Sequence, residues 1–215
     1  SVRLPPGCGL DLNEPMLYNP YQERFQEARR LRVCLACKTQ GSTDGNGHFI
    51  CPKCGIDHVS NRTAPRLFRW LMLRAGRRSG KSKIGAYAAR EEMCTPGTRG
   101  WICGPTFKIL HDATMPTFLR VIPPDWVKNW NQDNLELELV NGSVVQFRSL
   151  DDPERARGQG LHWAWLDEAA FISERAWDVL RPSLAEHAGS AFFTTSPAGF
   201  DWSYKRIMKK ALAHI

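Results

Sequence analysis

No apolar run in this sequence approaches the roughly 20 residues that cross a bilayer as a helix, so a helical membrane span is not expected. Negative charge is in short supply. Asp and Glu number 22 against 29 Lys and Arg, a formal net charge of +7. Such a balance suits a polyanionic partner, because neutralising phosphates releases counterions. No low-complexity tail gathers the charge: Arg29, Arg30, Arg32 and Lys38 lie near the front, and Lys205, Arg206, Lys209 and Lys210 near the end. No segment recurs at a fixed period, which argues against a solenoid or repeat array. The seven cysteines are odd in number and follow no secretory segment, which argues against a disulfide scaffold. The opening Ser1-Val2-Arg3-Leu4-Pro5-Pro6 reads neither as a signal nor as a natural start. The expectation is a trimmed chain with a further domain beyond its last helix.

What is present fits one large α/β domain carrying a small inserted module: 215 residues, 42% of them hydrophobic. Residues 1–19 read as an extended arm. Phe25, Ala28 and Leu31 recur at helical spacing, predicting a helix over 21–32. A Gly/Ser/Asn/Asp-rich insert follows. Strands are then expected at 68–74, 101–103, 162–166 and 191–195, with helices at 80–92, 107–121, 173–187 and 204–215. Between the second helix of that set and the third strand, Leu135, Leu137 and Leu139 alternate with glutamates, and Asn141-Gly142 turns the chain into a returning strand, 144–147. Strands alternating with helices predict a mostly parallel sheet with helices on both faces, of the RecA-like P-loop kind, plus a zinc-ribbon insert. The boundaries drawn are 1–33 for the arm and first helix, 34–60 for the insert, and 61–215 for the core.

The sharpest local signal is Ala75-Gly76-Arg77-Arg78-Ser79-Gly80-Lys81-Ser82, set between a strand and a helix. Gly76 and Gly80 let the backbone approach phosphate oxygens, and the following helix points free amides and its positive dipole end at them. Lys81 is expected on the β- and γ-phosphates of ATP, with the Ser82 hydroxyl on Mg²⁺. Ala75 departs from the usual glycine at the first position. The apolar run ending in Asp167-Glu168 supplies the partner acids, Asp167 for the metal and Glu168 as the base for the attacking water. Thr194, Thr195 and Ser196, at another strand end, are expected beside the γ-phosphate; a plain strand-to-turn transition before Pro197 is the alternative.

Cys34-x-x-Cys37 and Cys51-x-x-Cys54 lie 13 residues apart. Four thiolates make a closed tetrahedral site of the structural kind, and an insert this poor in apolar residues would draw its stability from Zn²⁺. His48 or His58 replacing a cysteine, and a redox dithiol, are the weaker alternatives. Lys38, His48, Lys53 and Arg62 around the insert raise contact with DNA or another component. Cys8, Cys94 and Cys103 read as small apolar residues.

The order of these motifs resembles the N-terminal ATPase domain of the large terminase subunit of tailed bacteriophages, over about residues 20–202. The resemblance is carried by Asn19-Pro20-Tyr21-Gln22, Ala75 to Ser82, Cys103-Gly104-Pro105-Thr106-Phe107, the loop from Asp151-Asp152-Pro153-Glu154 to Arg157-Gly158, Asp167-Glu168-Ala169-Ala170 and Thr194-Thr195-Ser196-Pro197. It implies that Gln22 reads the adenine edge, with a helix-surface glutamine as the alternative. It implies that Arg77 or Arg78 senses the γ-phosphate, that Thr195 and Ser196 form the coupling segment, and that Arg157 is offered in trans to a neighbouring subunit or else anchors its own loop. It further implies double-stranded DNA, a portal and a small terminase subunit as partners, and a homo-oligomeric ring, a pentamer, working in the host cytoplasm while docked on a procapsid, without a membrane. No nuclease motif is found, so cleavage is not expected of these residues. A helicase-like or remodelling ATPase shares Gly-Pro-Thr-Phe and Asp-Glu and is the second reading.

Overall fold

The computed structural model describes residues 20–34, 36–43, 49–58 and 68–209. The arm at 1–19, with Cys8, and the positions of His48 and Arg62 lie outside the described residues. In chain order the elements are α1 (Pro20–Arg30), β1 (Leu31–Val33), β2 (Gln40–Ser42), β3 (Phe49–Ile50), β4 (Asp57–His58), β5 (Trp70–Arg74), α2 (Lys81–Cys94) and β6 (Arg99–Gly104). Then come α3 (Phe107–Ile109), a π turn (Leu110–Thr114), α4 (Met115–Leu119), β7 (Val127–Asn131), β8 (Glu136–Leu139), β9 (Val144–Ser149), β10 (Trp163–Asp167), α5 (Glu174–Leu180) and β11 (Ser190–Thr195).

Seven strands form one sheet in the order β5-β11-β10-β6-β9-β8-β7. The first five run parallel, β8 runs antiparallel to β9, and β7 antiparallel to β8. The chain leaves β5, crosses two strand positions to β6, and later fills the gap with β10 and β11. That brings the carboxyl ends of β5, β11 and β10 side by side, the end at which open α/β sheets bind their ligands. Register fixes what meets there: Arg74 lies opposite Thr195, and Thr194 opposite Asp167.

Strand alternation builds an apolar layer on each face. Trp163 and Trp165 join Ile84, Met93 and Phe192 on one side, while Ala164 and Leu166 join Trp177, Leu180 and Phe193 on the other. Every residue of β10 is buried, which is why it reads as a continuous apolar run. The large ring of Trp165 dictates a small residue above it: a Cβ on Gly85 of α2 would overlap that ring, so glycine lets α2 lie close to the sheet.

α1 lies alongside α2 and is clamped at its far end by Arg29, whose side chain is 3% exposed. Its guanidinium donates to Glu92 at 2.6 Å, to Glu91 at 3.0 Å and to the Ala88 carbonyl at 2.9 Å, and stacks over Phe192. Burial alone would lower its pKa, but Glu92 and Glu91 outweigh that and raise it. Arg30 adds a 2.7 Å bond to Glu91.

Several expected elements differ in extent, and residues 210–215 of the last expected helix lie outside the described residues. The first helix ends at Arg30 rather than running to 32, because Leu31 to Val33 pair with β2. The strand expected at 68–74 starts at Trp70, and Phe68 is exposed. The helix expected over 107–121 is interrupted by the π turn, and the one over 173–187 leaves α geometry after Leu180, where Pro182 lies in a 3-10 segment. The edge strand β7 was not expected. No helix among the described residues is long and apolar enough to cross a membrane.

Candidate functional site

The phosphate loop is built by the chain leaving β5 at Arg74 and starting α2 at Lys81. The Ala75 amide donates to the Thr195 carbonyl at 3.2 Å, tying the loop's first residue to β11. Gly80 has φ +78°, a left-handed conformation that glycine adopts without steric penalty, and no side chain caps the amides of the helix behind it. The Gln22 side chain donates to the Ser79 carbonyl at 3.1 Å, so α1 braces the loop from the side. Arg77 and Arg78 are exposed and make no hydrogen bond or ion pair among the described residues, and the Ser79 hydroxyl is buried there without a partner.

Both acids at the end of β10 face this loop. The Asp167 carboxylate, 2% exposed, accepts on Oδ1 from Ser82 at 3.2 Å, from Thr194 at 2.7 Å and from the Glu168 amide at 3.1 Å. Its Oδ2 accepts from Thr114 at 2.9 Å. Burial raises its pKa above the ordinary aspartate value, against the lowering effect of Thr194, Thr114 and Ser82. Glu168 sits at φ 49°, ψ 45°, a strained left-handed backbone for a non-glycine residue. That turn swings its side chain to Lys81, with Oε1 3.1 Å from Nζ, and the Ser196 amide lies 3.4 Å from Oε2. Lys81, Ser82, Asp167 and Glu168 therefore converge on one place. The donors around Asp167 suit a hard divalent cation: an all-oxygen pair, Ser82 and a carboxylate buried at a cost that a cation would offset.

The other expected residues have partners of their own. Thr194 is wholly buried, with its hydroxyl held between Asp167 and the Trp165 indole, which donates at 2.7 Å. The Thr195 hydroxyl accepts from the Ala170 amide at 3.1 Å and donates to the Ser196 carbonyl, stitching β11 to the turn after the acids. Arg157 is 73% exposed and bonds to Glu154 of its own loop at 2.7 Å; it is not brought to the phosphate loop of this chain. Arg157 and Arg175 together hold the Glu154 carboxyl below the usual glutamate range.

Two contributors went unseen in the sequence. Thr114 had no motif around it. Arg74 ends β5 and reaches past the Ser196-Pro197 segment to Asp201 at 3.1 Å and to the Gly199 carbonyl at 2.7 Å. An ion pair was not readable from residues so far apart in the chain.

The cysteine insert forms a second site. The four thiol sulfurs of Cys34, Cys37, Cys51 and Cys54 lie within 4.8 Å of one another. The two knuckles repeat one geometry: Lys38 N–H donates to the Cys34 carbonyl at 2.8 Å, and Gly55 N–H to the Cys51 carbonyl at 2.9 Å. The residue closing each turn is left-handed, Lys38 at φ 61° and Gly55 at φ 69°. Hydrogen bonds at Thr39, through side chain and backbone, draw the Cys37 thiol down to about 6. At Cys54 the backbone bond at Ile56 lowers the pKa, but bonds with Cys51, Cys34 and Cys37 and burial push it up to about 12. Thiols this close cannot all ionise unless a cation joins them.

A phosphate-loop strand and an acid-bearing strand separated by one further parallel strand, here β5, β11 and β10, define a P-loop NTPase of the RecA-like class. Within that class the chain belongs to the terminase large subunit family: the description "Terminase large subunit, T4likevirus-type, N-terminal" matches residues 72–215. This separates the two readings left open by the motifs. The terminase large subunits of Thermus phage G20c and Thermus virus P23-45 are each 29% identical to it over 155 residues, 60% of this chain. The chain spans about a third, 31%, of the length of these curated relatives. The large terminase ATPase domain of Thermus phage P74-26 is similar in structure, with 29% identity, a TM-score of 0.51, and coverage of 64% of this chain and 62% of that one. The large terminase of another thermophilic bacteriophage shares the fold at 15% identity, with a TM-score of 0.61 over 68% of this chain and 39% of that one. It has also been solved with ADP and with ATP-gamma-S.

Proposed function

We propose that this chain is the ATP-hydrolysing motor domain of a phage DNA-packaging terminase, coupling hydrolysis to translocation of double-stranded DNA into a procapsid. The observation that carries the reading is the meeting of Lys81 with Glu168 at 3.1 Å and of Ser82 with Asp167 at 3.2 Å. In this reading the amides at the start of α2 and the Lys81 ammonium bind the β- and γ-phosphates. Lys81 thereby exchanges its bond to Glu168 for phosphate oxygens, and the Glu168 carboxylate is released to orient a water. As the water oxygen bonds to the γ-phosphorus, Glu168 takes the water's proton and the bond to the β-phosphate oxygen breaks. Ser82 and Asp167 would hold Mg²⁺, which neutralises charge on the β- and γ-oxygens when bound.

Gln22, beside Ser79, is suited to the adenine side of the loop, and Gly76 and Ser79 line the phosphates. Arg77 or Arg78 answers to the γ-phosphate. The exposed Arg157 is offered to a neighbouring copy in a pentameric ring, adding positive charge at the transition state. Thr195 and Ser196 couple the γ-phosphate to the segment leading to Asp201. The ring would dock on a portal, work with a small terminase subunit, and act in the host cytoplasm at the procapsid. Residues 34–60 would form a structural Zn²⁺ ribbon held by Cys34, Cys37, Cys51 and Cys54, set between residues 1–33 and the core at 61–215.

ATP turnover by the wild type and by Glu168→Gln, each with and without double-stranded DNA, tests the reading. Loss of the base is expected to slow hydrolysis by roughly 10²–10⁴-fold with nucleotide binding retained, and DNA to stimulate the wild type. A folded wild type that neither binds nor hydrolyses ATP would overturn it.

A further inference from the structure

The oxygen that Asp167 does not share with Ser82 is held by a residue outside every motif. Thr114 is fully buried, and its hydroxyl donates to Asp167 Oδ2 at 2.9 Å, across 53 positions of chain. It is the sole described partner of Oδ2, whereas Oδ1 is held three times over. A carboxylate's terminal torsion is broad and roughly two-fold, so contacts on one oxygen leave the plane of the group free to rotate. Thr114 closes that freedom and thereby fixes the lone pairs that Asp167 turns toward Ser82.

The local backbone makes this contact specific. A helical threonine can turn its hydroxyl back to the carbonyl four residues earlier. Thr117, one turn further along the same helix, does so, bonding to the Ala113 carbonyl at 2.7 Å. Thr114 does not. It ends the π turn Leu110–Thr114, where the Met115 amide donates to the Leu110 carbonyl five residues back. Pro116 follows directly and lacks the amide an α-helix would need there, so the helix takes up one extra residue just ahead of it. That insertion rotates the register and sets Thr114 toward the end of β10.

We infer that Thr114 is a positioning residue for the divalent cation of the nucleotide site: it orients Asp167 so that its carboxylate and the Ser82 hydroxyl face a cation together. The inference rests on the Mg²⁺-nucleotide reading above. Its test is equilibrium binding of a fluorescent ADP analogue at rising Mg²⁺, with Mn²⁺ binding followed by EPR, for wild type, Thr114→Val, Thr114→Ala and Thr114→Ser.

Outer partners of metal ligands typically contribute 10–100-fold to metal affinity. Thr114→Val, which replaces the hydroxyl with a methyl of similar size, should raise the Mg²⁺ and Mn²⁺ concentrations needed by roughly 10-fold or more. Nucleotide affinity in EDTA should stay unchanged, and Thr114→Ser should restore the wild-type cation dependence. If Thr114→Val does not fold, Thr114→Ala set against Thr114→Ser reads the same hydroxyl. Wild-type cation dependence in a folded variant lacking the hydroxyl overturns the inference. So does a Thr114→Ser protein as impaired as Thr114→Val. A wild type that binds nucleotide without regard to Mg²⁺ would instead sink the underlying reading.

Discussion

The ribbon and the sheet are held together by opposite means. Among the described residues, the insert buries Cys34, Phe49 and Cys51 around its four thiols, and each of its sheets has two strands. The core buries two apolar layers of tryptophan, phenylalanine and leucine against a sheet of seven strands. In the proposed reading a module with so small an apolar centre would depend on a bound metal, while the core depends on packed area. Among the described residues they join where Arg30 runs into Leu31, and the Arg29 clamp lies on the core side of that joint.

The largest effect should come from the metal. Chelation, or Cys51→Ser, removes an apparent binding free energy on the order of 10 kcal/mol. Hydrogen exchange should show the amides of β1 to β4 losing protection in full while those of β10 and β11 keep theirs. Fast exchange spreading into β10 would break the distinction between the regions. A smaller effect is expected at the clamp. Arg29→Met removes the buried bonds to Glu92, Glu91 and the Ala88 carbonyl and should lower core stability by about 3–5 kcal/mol in denaturant unfolding. A loss under about 1 kcal/mol would mean that packing, not charge, holds α1 in place.

The smallest effect belongs to the core alone. His162 stacks on His187 with ring centroids 4.0 Å apart and accepts the Arg99 amide on Nδ1 at 3.0 Å. Burial, then the His187 charge, lower its pKa below the ordinary 6.5, against a weaker upward pull from Glu92. The folded chain therefore binds fewer protons than the unfolded one as acid is added. The stability this contributes is complete above pH 6.5 and is lost as pH falls below it toward the depressed folded value. Melting temperatures should drop over this range by a few degrees at most, less so in His162→Gln, and equally with or without bound metal in the ribbon. A drop that vanished on chelation would place the titration in the ribbon instead.

Legibility in the sequence follows the range over which a feature is encoded. The phosphate loop, the Asp167-Glu168 pair and the cysteine pairs are local spacings set by a single ligand, and they could be read directly. β10 was plain because burial on both faces leaves an unbroken apolar run. β7 was hidden: Val127–Asn131 is an edge strand with Lys128 and Asn129 exposed, and its pairing slips at a bulge. Residues 107–121 read as one unbroken helix, and nothing local marked the π turn at Leu110–Thr114 ahead of Pro116, so Thr114 was missed. Thr194 was read as facing the phosphate, yet the side-chain period of two turns it inward to Asp167 while Thr195 takes the Ala170 amide. The Arg29 clamp joins residues more than 55 positions apart, and no local pattern carries that.

The central claim is that Lys81, Ser82, Asp167 and Glu168 serve one Mg²⁺-bound triphosphate. Calorimetric titration of ATP into Glu168→Gln and into the double variant Lys81→Ala/Glu168→Gln, each with Mg²⁺ and with EDTA, tests it most directly. The account predicts Mg²⁺-dependent binding at one site in the single variant and its loss when Lys81 is also removed. Undiminished binding by the double variant, or binding to the single variant indifferent to Mg²⁺, would contradict it.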